Sequence, residues 1–226
     1  MKRHTILFDI NETVLDLGGL SSHFASVFGD SALMPGWFSN LLHSSTVCAL
    51  TGVKSDFAAL ASIALDALAA RLGRTLDPID KAQLLAGFAQ IPAHRDVIPA
   101  LVQLQAAGYR TIAFSNSSLA LMNAQIVNAG LTSYFDEIIS VEPTGSFKPD
   151  LLVYQFAAQQ LQQPIEQLRL VACHDWDTHG ALTAGMHAAY IDRSRAPYHP
   201  LYRPTDVTAK DMARLVAMII DCDCRS

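Results

Sequence analysis

His4-Thr5-Ile6-Leu7-Phe8-Asp9-Ile10, continued by Asn11-Glu12-Thr13, runs from apolar and β-branched residues straight to a carboxylate. Such a run reads as a strand over 4–10, buried on both faces. In an open α/β sheet the C-terminal edge of a strand faces the ligand crevice, so Asp9 is placed to act there. A carboxylate in that position can attack carbon or phosphorus and form an ester that water then hydrolyses. Capping of the following turn is the plainer reading of an Asp at this spot.

Working outward, four more strand-like runs appear at 109–115, 137–141, 168–173 and 188–193. Helical patterns alternate with them. Ile98, Leu101, Leu104 and Gln105 run up to Gly108, Leu119 to Ala129 up to Gly130, and Thr178 to Ala184 up to Gly185; each glycine suits a helix stop. Asp150 to Leu161 follows Lys148-Pro149, the proline suiting a first helical turn. Thr208 and Asp211 make a capping-box-like start to an apolar helix through Ile220. Alternation of this kind predicts an α/β fold: a doubly wound, mostly parallel Rossmann-like sheet with right-handed crossovers.

Residues 17–95 break the rhythm. They hold no strand signal, and their clearest helix begins at Ser55 with Phe57, Leu60, Ala61, Ala64, Leu65, Leu68 and Leu72 on one stripe, stopping at Gly73. A helical insertion after the first strand belongs above the sheet's C-terminal edge, as a cap over Asp9. The expected division is therefore a core of residues 1–16 and 96–226 with a helical cap subdomain of 17–95.

Half of the 226 residues are hydrophobic, 16% are charged and the net charge is −5. This describes a globular chain and argues against a nucleic-acid partner, which favours a basic face. Apolar runs fall short of the roughly 18 residues that span a bilayer, and Met1-Lys2-Arg3-His4 leads into the strand without a signal segment. The expectation is a cytoplasmic protein with no membrane partner. Cysteines stand at 48, 173, 222 and 224. The spacing of Cys222 and Cys224 is not a familiar zinc pattern, and the pair is expected in a frayed terminus.

Three further clusters fall at strand ends. Ser115-Asn116 offers a hydroxyl, an amide and backbone N–H groups suited to a carboxylate or phosphate. Lys148 can pair with Asp9 and keep it ionised. Asp175 and Asp177, in His174-Asp175-Trp176-Asp177, can orient a water or a cation.

The order Asp9-Ile-Asn-Glu-Thr13, Ser115-Asn116, Lys148-Pro149 and His174 to Asp177 resembles the haloacid dehalogenase superfamily of Asp-nucleophile hydrolases. Within it, Ala172-Cys-His-Asp-Trp-Asp-Thr-His-Gly-Ala181 and Phe147-Lys-Pro-Asp150 followed by Val153-Tyr154 are similar to the type II 2-haloacid dehalogenases. The resemblance implies that Asp9 displaces halide from carbon 2 of a short carboxylic acid. It implies that Lys148 orients Asp9, Thr13 hydrogen-bonds it, and Asp177 positions the hydrolytic water. Ser115 and Asn116, with backbone N–H groups near Ile10 and Asn11, would hold the substrate carboxylate. Trp176 would wall the site. No metal or other cofactor is implied, and homodimers are common among such proteins.

Departures mark the same stretches. Asn11 and Glu12 stand where those dehalogenases have Tyr and Gly, His174 replaces an Asn and Ala172 a Ser. Phe38, after Trp37, stands where a halide-binding Arg is usual; a phenyl edge carries partial positive charge and is the expected substitute. Two alternatives stay open. One is a Mg²⁺-dependent phosphatase, with Asp9 and Asp175 as metal ligands, although Asn11 cannot donate the carboxylic proton that branch uses. The other is a non-catalytic binding protein on the same fold.

Overall fold

The computed structural model describes residues 5–224; His4, expected to open the first strand, lies outside the described residues, as do the remaining ends of the expected core. Six strands form one parallel sheet: β1 Thr5–Phe8, β2 Arg110–Ser115, β3 Glu137–Ser140, β4 Leu168–Ala172, β5 His187–Ile191 and β6 Val207–Ala209. Their order across the sheet is β3-β2-β1-β4-β5-β6. β1 is central, and chain direction across the sheet reverses on either side of it. Asp9 leaves β1 at this topological switch point, where doubly wound sheets bind ligands. All four residues of β1 are buried, because helices cover both faces of a parallel sheet.

The five expected strands are present within two residues at each end. β6 is the addition. It has three residues and pairs with β5 from Ala189↔Val207 to Ile191↔Ala209, too short to leave a periodic signal. Thr208, read as a helix cap, therefore lies in a strand. The last helix starts after Asp211, whose Oδ1 accepts the Arg214 N–H at 2.8 Å.

Nine α-helices lie among the described residues, besides three short 3-10 turns: α1 Ser21–Phe28, α2 Leu33–Thr51, α3 Phe57–Arg71, α4 Pro78–Gly87, α5 Val97–Ala106, α6 Leu119–Asn128, α7 Leu151–Leu161, α8 Asp175–Ala184 and α9 Met212–Cys224. Three boundaries differ from expectation. Pro149 precedes the cap of α7 and lies outside its first turn, because Asp150 Oδ1 takes the Leu152 N–H at 3.0 Å. α8 begins at Asp175, three residues early, so both acidic residues of the last cluster occupy its first turn. Cys222 and Cys224 are helical, not frayed: Arg169 on β4 holds the intervening Asp223 at 2.8 Å.

α1 to α4 all fall between β1 and α5, as expected for residues 17–95. The chain leaves and re-enters the sheet side by side, with Asp16 N–H donating to Pro92 O at 2.7 Å and His94 N–H to Val14 O at 2.9 Å. Phe57, Leu60, Ala61, Ala64, Leu65 and Leu68 are buried as one stripe of α3, whereas Leu72 is 41% exposed beyond the end of the helix. Each large side chain so buried contributes about 1.5–3 kcal/mol. Trp37 of α2 anchors the pair by donating its indole N–H to Ala61 O at 3.1 Å. These helices reach the loops after β3: Lys54 Nζ donates to Gly145 O at 3.0 Å, and the Phe57 and Phe147 rings meet at 6.2 Å. No helix among the described residues is long and apolar enough to cross a membrane.

Candidate active site

Lys148 is fully enclosed, 1% exposed, and its ammonium makes three short contacts: Asp9 Oδ1 at 3.2 Å, Asp177 Oδ2 at 2.9 Å and Phe114 O at 3.0 Å. It also lies 4.3 Å from the Phe114 ring centre. The backbone around it is pinned from the neighbouring strand end, where Asn116 Oδ1 accepts the Lys148 N–H at 2.9 Å. Side chains 139 and 29 residues apart in the chain thus meet at one cation.

Thr13 donates to Asp9 Oδ2 at 2.8 Å, and its oxygen accepts the Cys173 N–H at 2.9 Å, joining the ends of β1 and β4. His174 Nδ1 lies 3.2 Å from Asp9 Oδ2 and Nε2 lies 2.7 Å from Glu12 Oε2. Two carboxylates accept from one ring, so the imidazole donates from both nitrogens. Burial alone would raise the Asp9 pKa, but Lys148, His174 and Thr13 outweigh it and hold Asp9 at about 2. Burial likewise disfavours charge on His174, and the sulfur of Cys173 with Asp9 and Glu12 turns the balance, raising its pKa well above the usual imidazole value. Burial, helped by the charge on Asp9, lifts Asp177 above the ordinary carboxylate range against the pull of Lys148.

Two supports were not among the expected site residues. The Tyr154 hydroxyl donates to Asp177 Oδ1 at 2.6 Å, which makes the tyrosine after the lysine motif part of the charge cluster. Gly180 allows this approach: a Cβ there would lie 2.6 Å from the Tyr154 hydroxyl and 2.8 Å from Pro149 Cβ. Glu12 is the other. It holds a left-handed backbone (φ 64°) at a position suited to glycine, and His94 Nε2 fixes its carbonyl at 2.9 Å.

The remaining expected residues divide. Trp176 stacks on His174 with ring centres 5.1 Å apart. Asn11 turns toward α6, donating to Ser117 Oγ at 3.1 Å and accepting from Gln125 at 3.2 Å. Ile10 is fully buried, its carbonyl closing the turn through the Val14 and Leu15 N–H groups. Ser115 is buried and accepts the Ser117 N–H at 3.2 Å. Phe38 packs against Trp37 and Phe88 inside the helical layer, 2% exposed, and does not line the open cleft.

That cleft, about 370 Å³, opens on the β4–β5 side of Asp9, between Glu12, Cys173, His174, Asp175, His94 and Arg193. A separate, smaller pocket of about 10 Å³ lies between Asn116, Phe57 and Phe147. Mg²⁺ held by Asp9 and Asp175 does not fit this arrangement. Both Asp9 oxygens already take donors, two of them cationic, and Asp175 Oδ2 accepts the His199 N–H at 3.2 Å. The sulfur and imidazole beside them are also poor ligands for a hard cation.

Comparison with known proteins agrees with this geometry. The sequence model of the haloacid dehalogenase-like hydrolases matches residues 4–169. The chain belongs to that family. Among curated relatives it is 27% identical over 219 residues to (S)-2-haloacid dehalogenase 1 of Pseudomonas sp. strain CBS-3, covering 95% of this chain and 92% of that one. It is 28% identical over 205 residues to (S)-2-haloacid dehalogenase of Pseudomonas fluorescens, covering 89% and 90%. Among solved structures, L-2-haloacid dehalogenase from Xanthobacter autotrophicus with chloropropionic acid covalently bound superposes with a TM-score of 0.89 at 21% identity, covering 96% and 98%. At that identity the likeness shows the fold.

Proposed function

We propose that this hydrolase displaces halide from carbon 2 of a short 2-haloalkanoic acid through an ester on Asp9. The observation that carries the reading is the buried ammonium of Lys148 bridging Asp9 and Asp177 at the sheet's switch point. An Asp9 oxygen attacks carbon 2 as the carbon–halogen bond breaks and halide leaves. Water then attacks the ester carbonyl, returning the Asp9 carboxylate and releasing the 2-hydroxy acid. In this reading Lys148 keeps the nucleophile ionised and Thr13 fixes its rotamer. Asp177, oriented by Tyr154, directs the water, and Trp176 excludes stray solvent. The names of the curated relatives support the substrate class. No step calls for a metal.

The substrate carboxylate is assigned to the Ser115 hydroxyl, the Asn116 amide nitrogen and the N–H groups at Ile10 and Asn11. The helices of 17–95 follow β1 directly and reach the loops after β3 through Lys54 and Phe57. We accordingly read those helices as a cap over a core of 1–16 and 96–226. The same reading places the enzyme in the cytoplasm. It also allows a second copy to pair through the helical layer, where Leu50 and Ile63 are exposed.

Halide release from chloro-, bromo- and fluoroacids, measured with EDTA and again with Mg²⁺, tests the reaction and its metal independence. Single turnover in heavy-oxygen water should label Asp9 and leave the first product unlabelled, and Asp9→Asn should abolish release. Turnover by Asp9→Asn, or label appearing in the first product, would remove Asp9 as nucleophile.

A further inference from the structure

Glu12, Cys173 and His174 lie together on the wall of the open cleft, and the charge cluster around Lys148 uses neither Glu12 nor the sulfur. Among the described residues they form the one group of three His, Cys, Asp or Glu side chains whose donor atoms all lie within 4.8 Å of each other. Cys173 Sγ is 3.9 Å from His174 Nε2, and Glu12 Oε2 is 2.7 Å from the same nitrogen. Ligands on a tetrahedral Zn²⁺ stand about 3.4–3.6 Å apart when the bonds are about 2.0–2.3 Å. Side-chain shifts of about an ångström therefore bring the three into coordination, with the cleft supplying the open fourth position.

Two independent features show a site that is built. His174 turns Nδ1 onto the Asp9 carboxylate and Nε2 onto Glu12, with the Cys173 sulfur 3.9 Å from both ring nitrogens. A carboxylate behind an imidazole is the usual support of a metal-binding histidine, fixing its tautomer and ring orientation. Glu12, for its part, is retained at a left-handed backbone position where glycine is unstrained, and the hydrogen bond from His94 to its carbonyl holds it there. The strained residue is the one that presents a carboxylate, 37% exposed, to the cleft.

We propose that Glu12, Cys173 and His174 bind a thiophilic divalent cation of the Zn²⁺ or Co²⁺ class beside Asp9. The cation takes the thiolate of Cys173, Nε2 of His174 and a Glu12 oxygen, with water in the fourth position. Binding releases the Cys173 thiol proton and the His174 Nε2 proton to solvent, while Nδ1–H stays on Asp9. The sulfur and imidazole select this class over Mg²⁺ and Ca²⁺. The inference does not depend on the reaction proposed above.

The test is a Co²⁺ titration of the full chain carrying Cys222→Ser and Cys224→Ser, so that the C-terminal pair cannot compete. One Co²⁺ per chain with a thiolate-to-cobalt charge-transfer band, displaced by Zn²⁺ and not by excess Mg²⁺, is the expected result. Adding Cys173→Ser should abolish the band. Glu12→Gln should weaken binding at least about tenfold, as should Asp9→Asn, which takes the carboxylate charge from behind His174 as well as from Lys148. Circular dichroism identifies any variant that has lost its fold, and Glu12→Gln, at the cleft surface, gives a reading independent of Cys173. No band, a band that survives Cys173→Ser, or affinity indifferent to both Glu12→Gln and Asp9→Asn would overturn the assignment.

Discussion

Tyr154 donates its hydroxyl to Asp177 Oδ1 at 2.6 Å, on the oxygen opposite the one that meets Lys148. Asp177 is thereby clamped from two sides in a pocket with no solvent exposure. A hydrogen bond to a charged group contributes about 1.5–3 kcal/mol. Tyr154→Phe should lower kcat by about ten- to a hundredfold with little change in KM, since the tyrosine holds the water-directing carboxylate and not the substrate. Steady-state halide release across substrate concentrations measures the split. An unchanged kcat would detach Tyr154 from the reaction.

Lys148 offers a sharper test of the whole cluster. Lys148→Met leaves Asp177 without a cation and Asp9 with His174 alone. Breaking a buried pair in this way costs about 3–5 kcal/mol. Urea unfolding should show a loss of that size, and halide release should fall by several powers of ten. Lys148→Arg should not restore the rate, because the larger planar guanidinium cannot take the enclosed ammonium's place between Asp9, Asp177 and the Phe114 ring.

Gly180 is set by packing. A methyl group there would stand 2.6 Å from the Tyr154 hydroxyl and 2.8 Å from Pro149 Cβ, so either α8 or the tyrosine must move. Gly180→Ala should destabilise the protein by about 1–3 kcal/mol despite alanine's better helix propensity. It should also reproduce part of the Tyr154→Phe rate loss. Combining the two substitutions should give less than the sum of their effects on kcat, which a double-mutant cycle reads directly.

Acid stability can be traced to the far edge of the sheet. Arg169 on β4 pairs with Asp206, before β6, and with Asp223 on α9. Burial raises the Asp206 pKa, but the Arg169 guanidinium outweighs it and leaves Asp206 below its ordinary value. The folded state then holds the Asp206 proton more weakly than the unfolded chain. The resulting stability is fully present above the unfolded value of about 3.9 and is lost as pH falls through the lower folded one. Thermal melts should therefore show Tm dropping below about pH 4. Asp206→Asn should start lower at neutral pH and fall less steeply.

Much of this was readable along the chain. Five strands announced themselves as apolar runs, and α3 by a stripe of Phe57, Leu60, Ala61, Ala64, Leu65 and Leu68, because both signals are local and periodic. Asp9, Lys148 and the pair Asp175 and Asp177 are legible because each follows a strand, and strand ends in such sheets share one edge; Thr13, and Asp177 ahead of Asp175, rest on the family resemblance. β6 escaped because three residues carry no period, and Thr208 with Asp211 gave a competing cap signal. Phe38 was expected at the halide site on positional likeness, whereas aromatic packing with Trp37 and Phe88 drew its ring into the helical layer.

Sequence alone determined the order of elements, the parallel sheet and the carboxylate at its switch point, since these follow from hydrophobic period and chain topology. Which donors each carboxylate meets was decided only in three dimensions. Glu12 looked like a departure from a glycine position and proved to hold His174; Tyr154 looked like part of a motif and proved to clamp Asp177. The reason is physical: hydrogen bonds and ion pairs depend on distances of a few tenths of an ångström between side chains more than a hundred residues apart. Packing of whole layers sets such distances, and no local pattern encodes them.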